Sequence, residues 1–327
     1  MQNHVNISKN ADQTWQEACR LRRLHWGNQV FLRGIVEFSN YCRQNCLYCG
    51  LRCDNTRITR YRLDYETIYD CARRIHALGI GTVVLQSGED PVCNHSDIAR
   101  LIERIKTLGL AVTLSLGSRN YSEYRLWRDA GADRYLLKFE TADKTLYADL
   151  RPGCTLDERL DCIQVLADMG YETGSGMIVG LPGEKTKNLE QDCRLLTMLN
   201  PDMVSVSPFV SHPDTPLGRY HGCTADRTLQ VMATVRTLLP HAHMPVTSAL
   251  GLCGDAVRLQ ALQVADVLMP SLTPEPVRES YGIYPGKNQH AGSPQARAAA
   301  MRDMLMCAGF ELPSGPGGAW RLLKEQL

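Results

Sequence analysis

Long apolar runs are missing from this chain: nowhere do eighteen apolar residues stand together, so no segment reads as a membrane-spanning helix. A dominant charge is missing too. The balance is 36 basic against 35 acidic residues, a formal net charge of +1, with no long basic run. Nucleic acid and anionic membrane are therefore poor candidates for partners. The first ten residues, MQNHVNISKN, lack the apolar core of a signal peptide, and the expectation is a cytoplasmic protein. A disulfide framework is absent as well: the thirteen cysteines are odd in number and, outside one loop, scattered singly. Cys71, Cys162 and Cys193 fall on apolar stripes of predicted helices, where a free cysteine acts as a small hydrophobe. What is present is ordinary for a globular enzyme, 327 residues with 44% hydrophobic and 22% charged, enough to bury a large core.

One stretch stands out, EFSNYCRQNCLYCGLRCDN from Glu37 to Asn55, with Cys42, Cys46 and Cys49 in a C-x3-C-x2-C array. Three thiolates so close in sequence can surround one metal centre at little cost in loop closure, and iron-sulfur clusters are held by local cysteine runs of this kind. Three protein ligands on a 4Fe-4S cluster leave one iron open to a small molecule, the feature that separates a catalytic metal site from a structural one. The spacing by itself leaves rivals standing. Zinc could take Cys53 as a fourth ligand, Cys46 and Cys49 could form a redox pair, and a ferredoxin-like carrier could use Cys53, although the second cysteine run such a carrier needs is not in the sequence.

Around this loop the pattern alternates between strand and helix. Residues 11 to 26 read as a helix leading into a strand at Phe31 to Phe38. Further strand-like runs follow at Thr82 to Leu85, Ala111 to Leu116, Arg134 to Phe139, Glu172 to Val179, Met203 to Ser207, Pro245 to Thr247 and Val267 to Met269. Between them lie amphipathic helices with legible starts: Asp64 as an N-cap before Ile68, Cys71 and Ile75, and the capping box Thr155-x-x-Glu158 before Leu160, Ile163 and Leu166. Eight beta-alpha steps point to a parallel (βα)8 barrel of the TIM type, an α/β fold, although periodicity alone also permits an open doubly wound sheet. The organisation expected is a helical lead-in over 1–30, a barrel over 31–270, and a long Pro- and Gly-rich loop, a helix near Pro294 to Cys307 and a tail over 271–327.

The array C-x3-C-x2-C with Tyr48 before the last cysteine resembles the cluster loop of radical S-adenosylmethionine (radical SAM) enzymes. The wider block GIVEFSNYCRQNCLYCGLR, followed by RYRL and LQSGEDP, resembles the HydE family of maturases that help assemble the iron-iron hydrogenase active site, within the branch that includes biotin synthase and methylornithine synthase. The similarity runs from about Phe31 to about Lys287. It favours the barrel and implies one 4Fe-4S cluster on Cys42, Cys46 and Cys49, with S-adenosylmethionine (SAM) cleaved reductively to a 5'-deoxyadenosyl radical. The implied substrate is a small molecule or small iron complex, and the implied partners are sister maturases, a scaffold GTPase and an electron donor. Two positions depart from the family pattern: Cys53 replaces a basic residue and Lys138 an arginine. Only Cys307 follows Gly286, so the cysteines that some members use for a second cluster are lacking and one cluster is expected.

Barrel active sites lie at the C-terminal ends of the strands, which sorts the remaining candidates. Gln86, Ser87, Gly88 and Glu89 close the second strand and resemble the segment that binds the amino group of SAM. Thr113 and Ser115 share one face of the third strand, and Glu140 closes the fourth, where it suits ribose hydroxyls or an ammonium. By resemblance Arg159 pairs with the cofactor carboxylate, Ile178 touches adenine, and Met203 lies near the cofactor. Without the resemblance, Arg159 reads as a solvated helix arginine, Met203 as core, and the two hydroxyls as satisfied by backbone. Arg134, Lys138, Thr247 and Ser248 are the candidates for holding an anionic substrate, with Tyr281 and Tyr284 closing over it. His241 and His243 precede the seventh strand and are discounted as ligands. Two rivals remain: a relative acting on an organic substrate, and a non-catalytic metal carrier using all four cysteines from 42 to 53.

Overall fold

The computed structural model describes residues 10–288 and 292–324. Its strands are β1 (Phe31–Leu32), β2 (Gly34–Ser39), β3 (Thr82–Ser87), β4 (Ala111–Ser115), β5 (Arg134–Leu136), β6 (Glu172–Val179), β7 (Met203–Pro208) and β8 (Val267–Leu268). β2 to β7 form one sheet in chain order, every pair parallel, and β1 pairs in parallel with β8. Parallel neighbours cannot be joined by a tight turn, so helical crossovers connect the sheet strands and cover the outside.

Backbone hydrogen bonds close the ring. Val204 N donates to His243 O at 2.8 Å, Val246 N to Val267 O at 3.0 Å, and Leu272 N to Ile35 O at 2.8 Å. The seventh expected strand survives only as isolated bridges, Met203 with His243 and Pro245 with Val267. Pro245 has no N–H to offer a ladder, and Thr247 already serves as N-cap of the short helix Ser248–Gly251, accepting from Leu250 N. The first expected strand divides at Arg33, where the chain passes from β8 to β3 as its partner. No helix among the described residues is long and apolar enough to cross a membrane.

The caps read from the sequence form as side-chain hydrogen bonds: Asp64 accepts from Thr67 N, and Thr155 and Glu158 complete both halves of their box. Caps of this kind are worth about 1 kcal/mol each. On the helix Leu156–Asp168 the inward residues are Leu156, Arg159, Ile163 and Leu166. Arg159 therefore occupies the buried stripe, not a solvated face.

The Gly-rich C-terminal segment packs across the N-terminal mouth of the barrel. Arg134 donates to Glu172 Oε2 (2.9 Å), Thr82 Oγ1 (3.1 Å) and the carbonyls of Pro316 and Gly317 (both 3.1 Å), and Ala319 N donates to Glu172 Oε2 (2.8 Å). A Cβ on Gly81 would lie 2.2 Å from the carbonyl carbon of Gly315, so the two backbones meet there only because glycine has no side chain. Arg134 thus belongs to the floor of the barrel. It starts its strand, and the catalytic face of a barrel lies at the strand ends.

Candidate functional site

β2 runs into the cysteine loop, and the loop is pinned by its own chemistry. At the exit of the strand, Asn40 accepts from Tyr61 N (2.8 Å) and donates to the carbonyls of Thr59 and Ser280 (both 2.8 Å). Arg60 gathers four loop carbonyls, those of Asn40, Leu51, Arg52 and Asn55. Three backbone bonds then tie the loop to distant chain: Arg43 N to Glu89 O, Leu47 N to Leu150 O and Gly50 N to Ile283 O, each 2.9 Å. A Cβ on Gly50 would come within 2.1 Å of Gly282 O, which makes glycine obligatory at this crossing.

The loop roofs a cavity of about 320 Å³ at the C-terminal mouth, and Cys42, Cys46 and Cys49 all line it. Burial pushes all three thiols up, Cys46 to about 11; the Cys42 thiolate further opposes ionisation of Cys46, and both oppose that of Cys49. Negative sulfur gathered in so little water needs positive charge to offset it, as a cluster's iron ions supply. No group of His, Cys, Asp or Glu among the described residues converges as it would on a single ion. Cys53 is exposed, its Sγ 3.6 Å from Asp54 Oδ1, and it is not part of the cavity wall.

Beside the cysteine loop, Glu89 is the hub of the wall. It accepts from Gln44 Nε2 (2.6 Å), Ser118 N (3.0 Å) and Arg43 Nε (3.3 Å). Arg159 and Arg151 stand 3.6 and 3.8 Å from its Oε1. Burial alone would raise the Glu89 carboxyl, but Arg159, Gln44, Ser118 N–H and Arg151 together outweigh it and hold the group ionised. One carboxylate thus serves three guanidiniums, a surplus of positive charge suited to thiolates and to an incoming carboxylate. Gly88 brings this wall against the loop: a Cβ there would lie 2.3 Å from Tyr41 O and 2.8 Å from Cys42 Cβ. Gly88→Ala is expected to destabilise the fold by about 1–3 kcal/mol through overpacking and to displace Cys42. Iron retained after reconstitution and the urea midpoint measure this, and wild-type values for both would refute the tight fit.

The rest of the wall combines hydroxyls and two ion pairs. Gln86 Nε2 donates to Ser115 Oγ (3.3 Å), and Lys138 pairs with Glu140 (3.1 Å). Glu140 has φ 70, an unusual left-handed backbone for a residue with a side chain. It is held so by Glu140 N to Gly176 O (3.0 Å) and Ile178 N to Glu140 O (2.9 Å). Lys287 pairs with Glu37 (2.8 Å) and approaches Ser248 Oγ (3.3 Å), while Ser248 also bonds Tyr284.

Of the residues singled out in the sequence, the cavity wall holds Cys42, Cys46, Tyr48, Cys49, Gln86, Ser87, Gly88, Glu89, Ser115, Lys138, Glu140, Arg159, Ile178, Thr247, Ser248, Tyr281 and Tyr284. Three lie elsewhere. Arg134 is spent on the barrel floor; Met203, at the start of its strand, has its Sδ against Arg33 Nη1. Thr113 is buried in β4, its hydroxyl without a partner among the described residues. Sequence reasoning passed over Gln44, Arg151, Glu37 and Lys287. Glu37 had a signal, a lone carboxylate inside the apolar strand GIVEFS. Arg151 had a weaker one, a charge just before Pro-Gly in a segment that follows a barrel strand.

The profile of the family described as Radical SAM superfamily matches residues 36–196. The chain is 45% identical over 271 residues to the [FeFe] hydrogenase maturase subunit HydE of Thermotoga maritima, covering 83% of this chain and 78% of that one. It is 29% identical over 278 residues to 3-methylornithine synthase of Methanosarcina barkeri, covering 84% and 78%. Among solved structures, methylornithine synthase (PylB) superposes with a TM-score of 0.80 at 23% identity, over 98% of this chain and 93% of that one, a likeness of fold.

Proposed function

The chain belongs to the radical SAM superfamily, and from that premise we propose that it is a HydE-like maturase in assembly of the iron-iron hydrogenase active site. Enzymes of this family bind a 4Fe-4S cluster and SAM. The donor set fits both groups: one buried and two half-buried thiols beside a surplus of guanidinium charge, and a glycine wall open to close approach. Cys42, Cys46 and Cys49 would hold the cluster. Gln86, Ser87, Gly88, Glu89, Ser115, Glu140, Arg159, Ile178 and Tyr48 would hold SAM. When bound, the two supply the reductive cleavage of SAM to a 5'-deoxyadenosyl radical.

The protein's own work is positioning and exclusion of water. Arg159, fixed by Tyr147 OH at 3.2 Å, offers a planar donor to a carboxylate. Deeper in the same cavity, Lys138, Thr247, Ser248, Tyr281 and Tyr284 present cationic and hydroxyl groups to a small anionic substrate, with Lys287 beside them. Tyr281 and the Gly50–Ile283 bond close the loop after β8 over the thiols and limit solvent access. Thr113, Met203 and Arg134 would act on substrate and cofactor only indirectly, through the wall above them. Sister maturases, a scaffold GTPase and an electron donor are the partners this reading implies.

The observation that carries the proposal is that the three thiols, Glu89 and Arg159 share one cavity with the deeper hydroxyls. Anaerobic reconstitution is expected to load about four irons per chain and, with reductant and SAM, to release 5'-deoxyadenosine. Added to an extract lacking its own HydE, the protein should restore hydrogenase activation. Cleavage without activation would select the rival with an organic substrate, which the methylornithine synthase relative supports. Iron without cleavage would select the carrier.

A further inference from the structure

Arg151 ends the helix Lys144–Leu150, its N–H donating to Tyr147 O at 2.9 Å, and turns its side chain into the cavity wall beside Cys46. Its Nη1 donates to Tyr48 OH at 3.2 Å, and its Nη2 stands 3.8 Å from Glu89 Oε1. The side chain is 6% exposed, yet its Nε has no acceptor among the described residues. Buried arginines differ in this respect, since Arg33 on the barrel floor and Arg52 in the loop also keep an open Nε, whereas Arg236 is fully used. It donates to the carbonyls of Val264, Pro240 and Ala242 and to Asp266, so that each of its nitrogens is occupied. A buried donor left open costs about 1–3 kcal/mol, and Arg151 has one next to a thiol that a cluster would ionise.

Its counter-charge is also incomplete. Glu89 lies within ion-pair distance of Arg43 and Arg159 as well as Arg151, and Glu140 is already paired with Lys138. Tyr48, to which Arg151 donates, stands between Cys46 and Cys49 in the loop, so the guanidinium is tied to the segment that carries the thiols.

We propose that Arg151 is a positioning residue for charge at the cluster: acting on the Cys46 thiolate by its charge, its guanidinium offsets the negative charge of the thiolates and eases entry of the electron. The effect follows from Coulomb attraction in a poorly screened interior, since reduction adds one negative charge to the neighbourhood of a fixed positive one. The inference rests on the assignment of the cluster to Cys42, Cys46 and Cys49. A wild-type protein that holds no iron refutes that assignment first, before Arg151 is tested.

The test is an anaerobic redox titration of the reconstituted wild type, Arg151→Gln, Arg151→Lys and Tyr48→Phe, read by the cluster's absorption and its spin signal. Arg151→Gln is expected to lower the ratio of reduced to oxidised cluster about tenfold at a fixed ambient potential, which for a one-electron couple is about 59 mV. Arg151→Lys, which keeps the charge, and Tyr48→Phe, which keeps the arginine, are expected to stay within about twofold of the wild type. A merely structural role for Arg151 would make the three variants fail together in iron content and thermal stability with no ordered change in potential. The proposal is overturned by an unshifted Arg151→Gln, or by Tyr48→Phe shifting as far as Arg151→Gln. Should Arg151→Gln fail to load, Arg151→Lys decides: a loaded cluster at the wild-type ratio supports the role of charge, and a lysine variant that fails or shifts tenfold overturns it.

Discussion

Cys46→Ala is expected to yield a folded chain that retains almost no iron and cleaves SAM more than about a thousandfold more slowly, because no protein group replaces the electron the cluster delivers. Cys46 is 8% exposed in the cavity wall, its thiol between those of Cys42 and Cys49 in the loop. Its replacement removes one sulfur from a small side chain, so the cost in stability is about 1 kcal/mol, far smaller than the loss of function. Cys53→Ala is the paired control. That thiol is exposed and outside the wall, and its removal is expected to leave iron content, visible absorption and SAM cleavage at wild-type values. Iron content after reconstitution, measured on both variants, separates the three-cysteine site from the four-cysteine carrier. If Cys53→Ala loses its metal as Cys46→Ala does, the three-cysteine assignment is wrong.

A comparably large effect, on stability, is expected at the opposite end of the barrel. Asp266 is fully buried and accepts from Arg236 Nη2 (2.6 Å), Met244 N (2.9 Å) and His243 Nδ1. Burial alone would raise its carboxyl, but His243, Arg236 and the Met244 N–H outweigh it and pull the group down from 3.8 to about 2. Asp266→Asn leaves the Arg236 guanidinium buried without its counter-charge, and breaking a buried pair in this way costs about 3–5 kcal/mol. The sign of the pH dependence follows from a depressed folded-state value. The stabilisation is complete above the ordinary carboxyl value of 3.8 and is lost as pH falls toward 2. Urea unfolding should therefore show the full gap between wild type and variant from pH 7 to 5, and a gap that shrinks below about pH 4. A gap under about 1 kcal/mol at pH 7 would mean that the three donors find other acceptors.

The alternation of strands and helices is readable because it depends on local chemistry. Asp64, Thr155 and Thr224 cap helices where their side chains reach the next turn's N–H groups, and the apolar stripes keep a helical period. Where the reading slipped, long-range contacts decided. Pro245 and Thr247 sit in a segment whose only ladder is a few bridges to strands far away in sequence. The carbonyls of Pro316 and Gly317 in the tail satisfy Arg134 and Thr82 from other strands, which no pattern within the tail encodes.

The sequence by itself determined the cysteine array, the parallel alternating architecture and the strand ends at which the cavity opens, since spacing, caps and period are properties of neighbouring residues. Only the tertiary structure decided which charges meet. Arg159 turns inward, Arg134 goes to the floor, and Arg151 and Lys287 enter the wall, because each depends on a partner brought close by closure of the ring: Glu89, Glu172 and Glu37. Pairings across a closed barrel depend on distance in space, and no local pattern encodes that distance.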